Sequence, residues 1–231
     1  MKRKLFLFLL AGLAFSLAGL QPAQAISFDL DYVYEGTAPE GSLIATFEDG
    51  ASGAVRLTLD ASNLDEPQKI GGFWFNILDE QEDLLPFLSL EYNEAESDYH
   101  PDPTKSKGAS ADDFKASSAD GFDIEILFLT SNGSKFGAGD TIVYDIAVKD
   151  PDTESVVPGL ITAASFNEWS NPRTGPGPFY AAAHIQSIGE EDGPSGWIAD
   201  NPNAVPESST LLLLGVGLIG VAGFGRRRIK T

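Results

Sequence analysis

Apolar residues fall on every second position through most of the chain between Ile26 and Ile188, and this spacing restricts the fold more than any other feature. Ile26, Phe28, Leu30, Tyr32 and Tyr34 alternate with Ser27, Asp29, Asp31 and Val33. In an extended chain that puts the apolar set on one face and the acids on the other. Val55, Leu57 and Leu59 alternate with Arg56, Thr58 and Asp60, and Phe73, Phe75 and Ile77 with Trp74, Asn76 and Leu78. Gly71-Gly72, just ahead, predicts a bulge or the start of the strand. Further strand-like runs cover 84–92, 122–130, 141–149, 160–167 and 180–188, several of them separated by turn formers such as Ser131-Asn132-Gly133 and Gly137-Ala138-Gly139-Asp140. About nine short strands with no 3.6-residue period predict an all-β fold, an antiparallel β-sandwich such as a jelly roll, over residues 26–189. An α/β fold needs crossover helices, and nothing in this body reads as one.

Two stretches break the alternation. Asn93 to Ser118 carries Glu94, Glu96, Asp98, Pro101, Pro103, Lys105 and Lys107 among few apolar residues, which reads as a long polar loop. Asn171 to Pro178 is rich in prolines that lack amide donors, so it cannot pair as a central strand. Residues 190–204 read as an acidic, Gly- and Pro-containing linker.

Both ends are of another kind. Lys2, Arg3 and Lys4 precede an apolar run from Leu5 to Leu20, and Ala23-Gln24-Ala25 supplies a small-x-small cleavage site, so residues 1–25 read as a signal peptide and the mature chain begins at Ile26. At the other end, Val205-Pro206-Glu207 leads into an uncharged stretch over 209–225, followed by Arg226-Arg227-Arg228. As a helix of about 1.5 Å per residue, that stretch just spans a hydrocarbon core of about 30 Å. Its glycines are tolerated in lipid, where the backbone finds no other hydrogen-bond partner, and the arginines hold its C-terminus in the cytoplasm. Gly215-Val216-Gly217-Leu218-Ile219-Gly220 fits the dinucleotide pattern by letter, yet it follows no strand and has no acidic residue about 20 positions later.

The order Val205-Pro206-Glu207, apolar helix, then Arg226, Arg227 and Arg228 resembles the PEP-CTERM sorting signal of Gram-negative bacteria, the substrate tail of the membrane enzyme exosortase. Pro206 and Glu207 match the first two letters of the Pro-Glu-Pro signature, and Ser208 stands in place of the second proline. The resemblance implies a transient anchor that exosortase removes, leaving an exported protein at the cell surface or in the extracellular matrix, associated with exopolysaccharide or biofilm. A plain C-terminal anchor is the competing reading. In the body, Ala181 to Gln186 followed by Ser195 to Ile198 looks like a pattern found in PEP-CTERM proteins, and Gly139 to Asp145 is similar to cohesin-like secreted sandwiches; neither implies an activity.

Of 15 Lys and Arg, seven lie in the two ends, as does Glu207 of the 34 Asp and Glu, which leaves the remainder with 8 against 33, a balance of −25. Such a charge makes nucleic acid and anionic lipid poor partners, because each phosphate contact needs a cation. With no cysteine, disulfides, thiolate catalysis and Cys-based metal sites are excluded.

The chemistry-bearing residues are few. His100 reads as an exposed loop residue and His184, among alanines in a strand, as a packed imidazole. No G-x-S-x-G, H-E-x-x-H, P-loop or EF-hand motif occurs. The acid clusters Asp79-Glu80-Gln81-Glu82-Asp83, Asp112-Asp113 and Glu190-Glu191-Asp192 read as loop acids and are the first places to look for Ca²⁺. Trp74, Trp169 and Trp197 with Tyr92, Tyr99 and Tyr180 form either core packing or a stacking platform for sugars. The expectation is a non-enzymatic exported protein with no catalytic, cofactor or metal residues to assign. A Ca²⁺- or carbohydrate-binding module, or a secreted hydrolase with paired carboxylates, is the alternative.

Overall fold

The computed structural model describes residues 24–98, 107–129 and 135–201. The ten strands are β1 (Ala25–Gly36), β2 (Leu43–Asp49), β3 (Val55–Asp60), β4 (Lys69–Phe75), β5 (Leu88–Tyr92), β6 (Lys107–Ala116), β7 (Ala119–Leu127), β8 (Thr141–Val148), β9 (Ala181–Gln186) and β10 (Gly196–Asp200). They form one antiparallel sheet in the order β5-β8-β3-β2-β1-β10-β9-β4-β7-β6, nearly closed into a barrel. The all-β antiparallel class is therefore as expected, but one curled sheet takes the place of two sheets packed face to face. The continuity comes from β1, which is 12 residues long and pairs β2 with its first half and β10 with its second.

The alternating residues fill the barrel interior. Phe28, Leu30, Phe47, Leu57, Leu59, Phe73, Phe75, Ile124, Ile126, Ile142, Tyr144 and Ile146 all belong to one buried cluster. Between the edge strands β5 and β6, the 3-10 helix Asp79–Phe87 packs against β6 and turns Leu84 and Leu85 toward the core. At one end of the barrel, the short 3-10 helix Ala163–Phe166 inserts Phe166, whose ring stacks on Phe47 with centroids 4.8 Å apart. Its first turn is held by a Thr162/Ser165 capping box and by the Ala163 amide donating to Asp49 Oδ1 at 2.7 Å.

Several expectations are corrected. The run 160–167 forms that 3-10 helix instead of a strand, and only 88–92 of the run 84–92 is extended. β6 lies within the stretch expected as a polar loop, and β10, from the expected linker 190–204, is a central strand between β1 and β9. Both hold alternate small or aromatic residues too sparse to register as an apolar period. The Gly71-Gly72 pair does mark a bulge, with the β4 register against β9 shifting between Ile70 and Gly72. Residues 1–23, His100, Tyr99 and 202–231, which hold the expected signal peptide, membrane helix and sorting residues, lie outside the described residues. No helix among the described residues is long and apolar enough to cross a membrane.

β1 departs from strict alternation for a physical reason. Its register against β10 shifts between Leu30 and Tyr32 and again between Val33 and Glu35, and a one-residue slip moves side chains to the other face. Phe28 and Leu30 point into the barrel, Val33 packs against the same core, and Tyr34 joins a second cluster outside it. That outer cluster contains Trp74, Ala116, Ala119, Phe122, Phe179, Ala182 and Ala199, so this part of the sheet is buried on both faces.

The segment 167–180 lies across the outer cluster and depends on one glycine for its approach. Gly121, at φ +78°, accepts the Asn171 amide at 2.9 Å, and a Cβ on it would stand 2.1 Å from the Asn171 carbonyl oxygen. Gly121→Ala is expected to cost about 2–4 kcal/mol, from the left-handed backbone and the clash together. Urea unfolding showing a loss below about 1 kcal/mol would remove this account of the contact.

Candidate functional site

The aromatic residues expected as a platform fall into separate groups. Trp197 on β10 faces His184 on β9 across the ladder, and the two rings stack at 4.2 Å and 17°. Trp74 tilts against Trp197 at 5.2 Å and its Nε1 donates to Glu125 Oε2 at 2.9 Å. The indole has room because Gly72 lies beneath it, where a Cβ would meet the ring at 2.5 Å. Trp169 stacks on Tyr180 at 3.8 Å, and Tyr180 in turn stacks on Phe28. Tyr92 stands apart, edge-on to Tyr144. Burial holds the His184 imidazole below its ordinary value, so the ring is neutral near pH 7 and packs as an aromatic, as expected from its alanine surroundings.

Buried carboxylates sew the outer segment to the sheet. Asp120 accepts the amides of Arg173 (2.8 Å) and Thr174 (3.4 Å), fixing the proline-rich turn. Asp200 Oδ1, at the end of β10, accepts the amides of Tyr180 (2.8 Å) and Ala181 (2.9 Å). Asp123 on β7 accepts from Ile77 (3.1 Å) with one oxygen and from Asp112 (2.8 Å) with the other. Between them, Asn76 donates to the carbonyls of Phe179 and Tyr180. Asp123 on β7 and Asn76, just past the end of β4, lie one position beyond the paired Ile124, Phe75 and Ala181, and Asp200 closes β10 on the far side of β9.

Burial pushes both Asp123 and Asp200 up to about 6, against the lowering effect of the amides they bind. Raised carboxyls are what a glycosidase acid requires, and these two lie on β7 and β10 with β4 and β9 between them. Both carboxylates bind backbone amides of the fold. An acid set between Phe122 and Ile124 was the sequence signal for this role, and the alternation alone did not single it out.

Of the expected cation clusters, the structure brings two together. The helix bearing Asp79 and Glu82 packs against β6, and burial followed by the charges of Asp79, Asp112 and Asp83 raises the Glu82 carboxyl. Glu191 of the third cluster instead accepts from Lys135 Nζ at 3.2 Å. The described residues contain no group of three or more His, Cys, Asp or Glu arranged to hold a metal ion.

A cleft of about 470 Å³ opens beside the edge strand β5, lined by Pro86, Phe87, Leu88, Lys149, Asp150 and Glu154 among others. Phe87 is 40% exposed at its mouth. Lys149 pairs with Glu91 across the strand, which holds its ammonium above the ordinary lysine value. Asp150 caps the turn that follows by accepting the amides of Asp152 and Thr153, each at 2.9 Å, and these bonds hold its carboxyl low. An exposed aromatic ring, a cation and two carboxylates thus share one concave surface. Nothing in the alternation pattern distinguished these residues, because they sit where β5 and β8 end. No protein-family model matches the chain, and neither the curated proteins nor the solved structures include a significant match.

Proposed function

We propose that this chain is a non-enzymatic exported protein, carried across the inner membrane by residues 1–25 and sorted through the PEP-CTERM-like tail 205–231 to the cell surface or extracellular matrix. The observation that supports this reading is the placement of the sheet relative to the two address segments. β1 starts at Ala25, beside the expected cleavage site, and β10 ends at Asp200, just before Val205. Removal of either segment leaves the strand ladder in place. Signal cleavage after Ala25 loses only the pairing of Gln24 and Ala25 with Asp49 and Glu48.

The tail is a transient anchor, with its helix at 209–225 and Arg226, Arg227 and Arg228 in the cytoplasm until exosortase cuts near Val205, Pro206 and Glu207. Mass measurement of the exported protein decides the matter: the tail is expected to be missing in cells with exosortase and present in cells without it. An intact tail in both would leave a permanently anchored protein and end the sorting proposal.

A binding role for the body is the second reading, favoured by the cleft at Phe87. A ring exposed beside Lys149, Asp150 and Glu154 suits a sugar, with its apolar face on the phenyl ring and its hydroxyls on the charged groups. Phe87→Ala is expected to abolish retention on the host exopolysaccharide while leaving the melting temperature within a few degrees, and unchanged retention would reject the cleft as the site.

A further inference from the structure

Charge decides which sugar suits the cleft at Phe87. Among the residues that line it, Lys149 is the one cation, and Asp150 and Glu154 are anions. Lys149 is already engaged, because its Nζ is ion-paired with Glu91 of β5 and Glu154 acts on it as a further charge. One ammonium against the three carboxylates of Glu91, Asp150 and Glu154 leaves a balance of −2.

The two acids of the lining are carried on a closed turn. Asp150 Oδ1 accepts the amides of Asp152 and Thr153, its carbonyl accepts the Glu154 amide at 2.9 Å, and its own amide donates to the Ser155 carbonyl at 2.9 Å. The Val157 amide then donates to the Val148 carbonyl at 2.9 Å, which seats the turn back on the end of β8. Glu154 lies at φ +56°, a left-handed conformation that glycine or asparagine adopts at less cost. A cavity of about 470 Å³, a ring 40% exposed at its mouth and two carboxylates on an ordered turn make up the site.

Granted that the Phe87 cleft holds a sugar, the reading on which this one rests, we propose that its ligand is a cationic amino sugar chain, with the ring face of one sugar on Phe87 and its ammonium between Asp150 and Glu154. A hexosamine carries both requirements on one ring: an apolar face for the phenyl group and a protonated amine with three donors for the carboxylates. The ammonium is also attracted by the negative face of the aromatic ring. A neutral sugar leaves the two carboxylates covered and without a counter-charge, and a sugar acid is repelled both by them and by the balance of −25 on the body. A lysine-rich peptide meets the same carboxylates but brings no flat apolar face to Phe87. The cavity lies within the ~300–1,000 Å³ of small-ligand sites, so a short stretch of a chain fills it and the remainder stays in water.

The test is calorimetric titration of the full-length chain in a neutral detergent at pH 5.5, where a sugar amine is protonated, with a glucosamine hexamer, its N-acetylated counterpart and a galacturonate hexamer. The glucosamine hexamer is expected to bind about tenfold more tightly than the acetylated one, and the galacturonate hexamer not at all. Glu154→Gln, which leaves the backbone bonds of the turn in place, is expected to remove most of that preference, and Phe87→Ala to remove binding of both. Equal or tighter binding of the acetylated hexamer would overturn the amino-sugar assignment while leaving the cleft a sugar site, whereas no binding of any of the three would overturn both readings. A preference unchanged in Glu154→Gln would also overturn it, because the charge would then be read elsewhere. So would a lysine hexamer that binds as tightly as the glucosamine hexamer and is lost equally in Phe87→Ala.

Discussion

Phe47→Ala is expected to destabilise the body by about 3–5 kcal/mol, the loss typical of a large aromatic removed from a core that cannot collapse around the space. Phe47 is fully buried and is the point where three elements meet. Its ring lies 6.1 Å from Phe28 of β1, 5.3 Å from Phe75 of β4 and 4.8 Å from Phe166 of the short helix. Truncation therefore removes the surface on which the helix 163–166 seats as well as a contact across the barrel. In a body of this size the melting temperature should fall by roughly 10 °C. Phe28→Ala, at the edge of the same group, is the natural control and should cost less. A fall of under about 1 kcal/mol for Phe47→Ala would mean that the barrel repacks freely, contrary to the close stacking of these rings.

Acidification from pH 8 to pH 5 is expected to stabilise the fold, opposite to the behaviour of most domains. Asp123 and Asp200 rise from 3.8 to about 6 in the folded state. A carboxyl raised in this way binds its proton more tightly folded than unfolded. Its contribution is fully present below the unfolded value and is lost as pH rises through about 6. At pH 5 the two together favour the fold by about 3 kcal/mol relative to pH 8. Neutralising part of the body's excess of acids acts in the same direction. The double change Asp123→Asn and Asp200→Asn separates the two causes, because it deletes both titrations while keeping the acceptor for the Tyr180 and Ala181 amides and for one of the two amides that Asp123 binds on separate oxygens. The pH dependence should flatten in that variant, leaving only the general charge effect. Chemical unfolding that is equal at pH 5 and pH 8 in the unmodified chain would exclude the raised carboxyls.

The parts of the fold that could be read from sequence are those where a side chain's hydrophobicity alone decides its face. Leu57, Leu59, Phe73 and Phe75 announce their strands because one face is core and the other is not. The rest depends on partners distant in sequence. β10 is held between β1 and β9 by its neighbours, and its Gly196, Ala199 and Asp200 carry no apolar period. Trp74 gives no sign of its surroundings either, since its burial depends on Phe122 and Phe179 arriving from other segments. The two strand slips in β1 turn Tyr32 outward, and local alternation is blind to register against a strand more than 160 residues away. Among the candidate sites, His184 packs as the sequence implied. The amide contacts of Asp123 and Asp200, which tie together segments distant in sequence, exist only once the sheet has formed.

The antiparallel pairing of β1 with β10 gives the barrel a near mouth and a far mouth. β1 departs from Ala25 and β10 arrives at Asp200 running the other way, so both connections to the rest of the chain pass through the same mouth. The cleft at Phe87 and Lys149 lies at the ends of β5 and β8 on that side, whereas Lys69, Gln186 and Gly36 mark the other. A body tied down by either terminus would keep the cleft close to its point of attachment and hold the mouth marked by Lys69 and Gln186 out at full reach. Under the proposed sorting, whatever the far mouth meets it would meet while the tail is still attached.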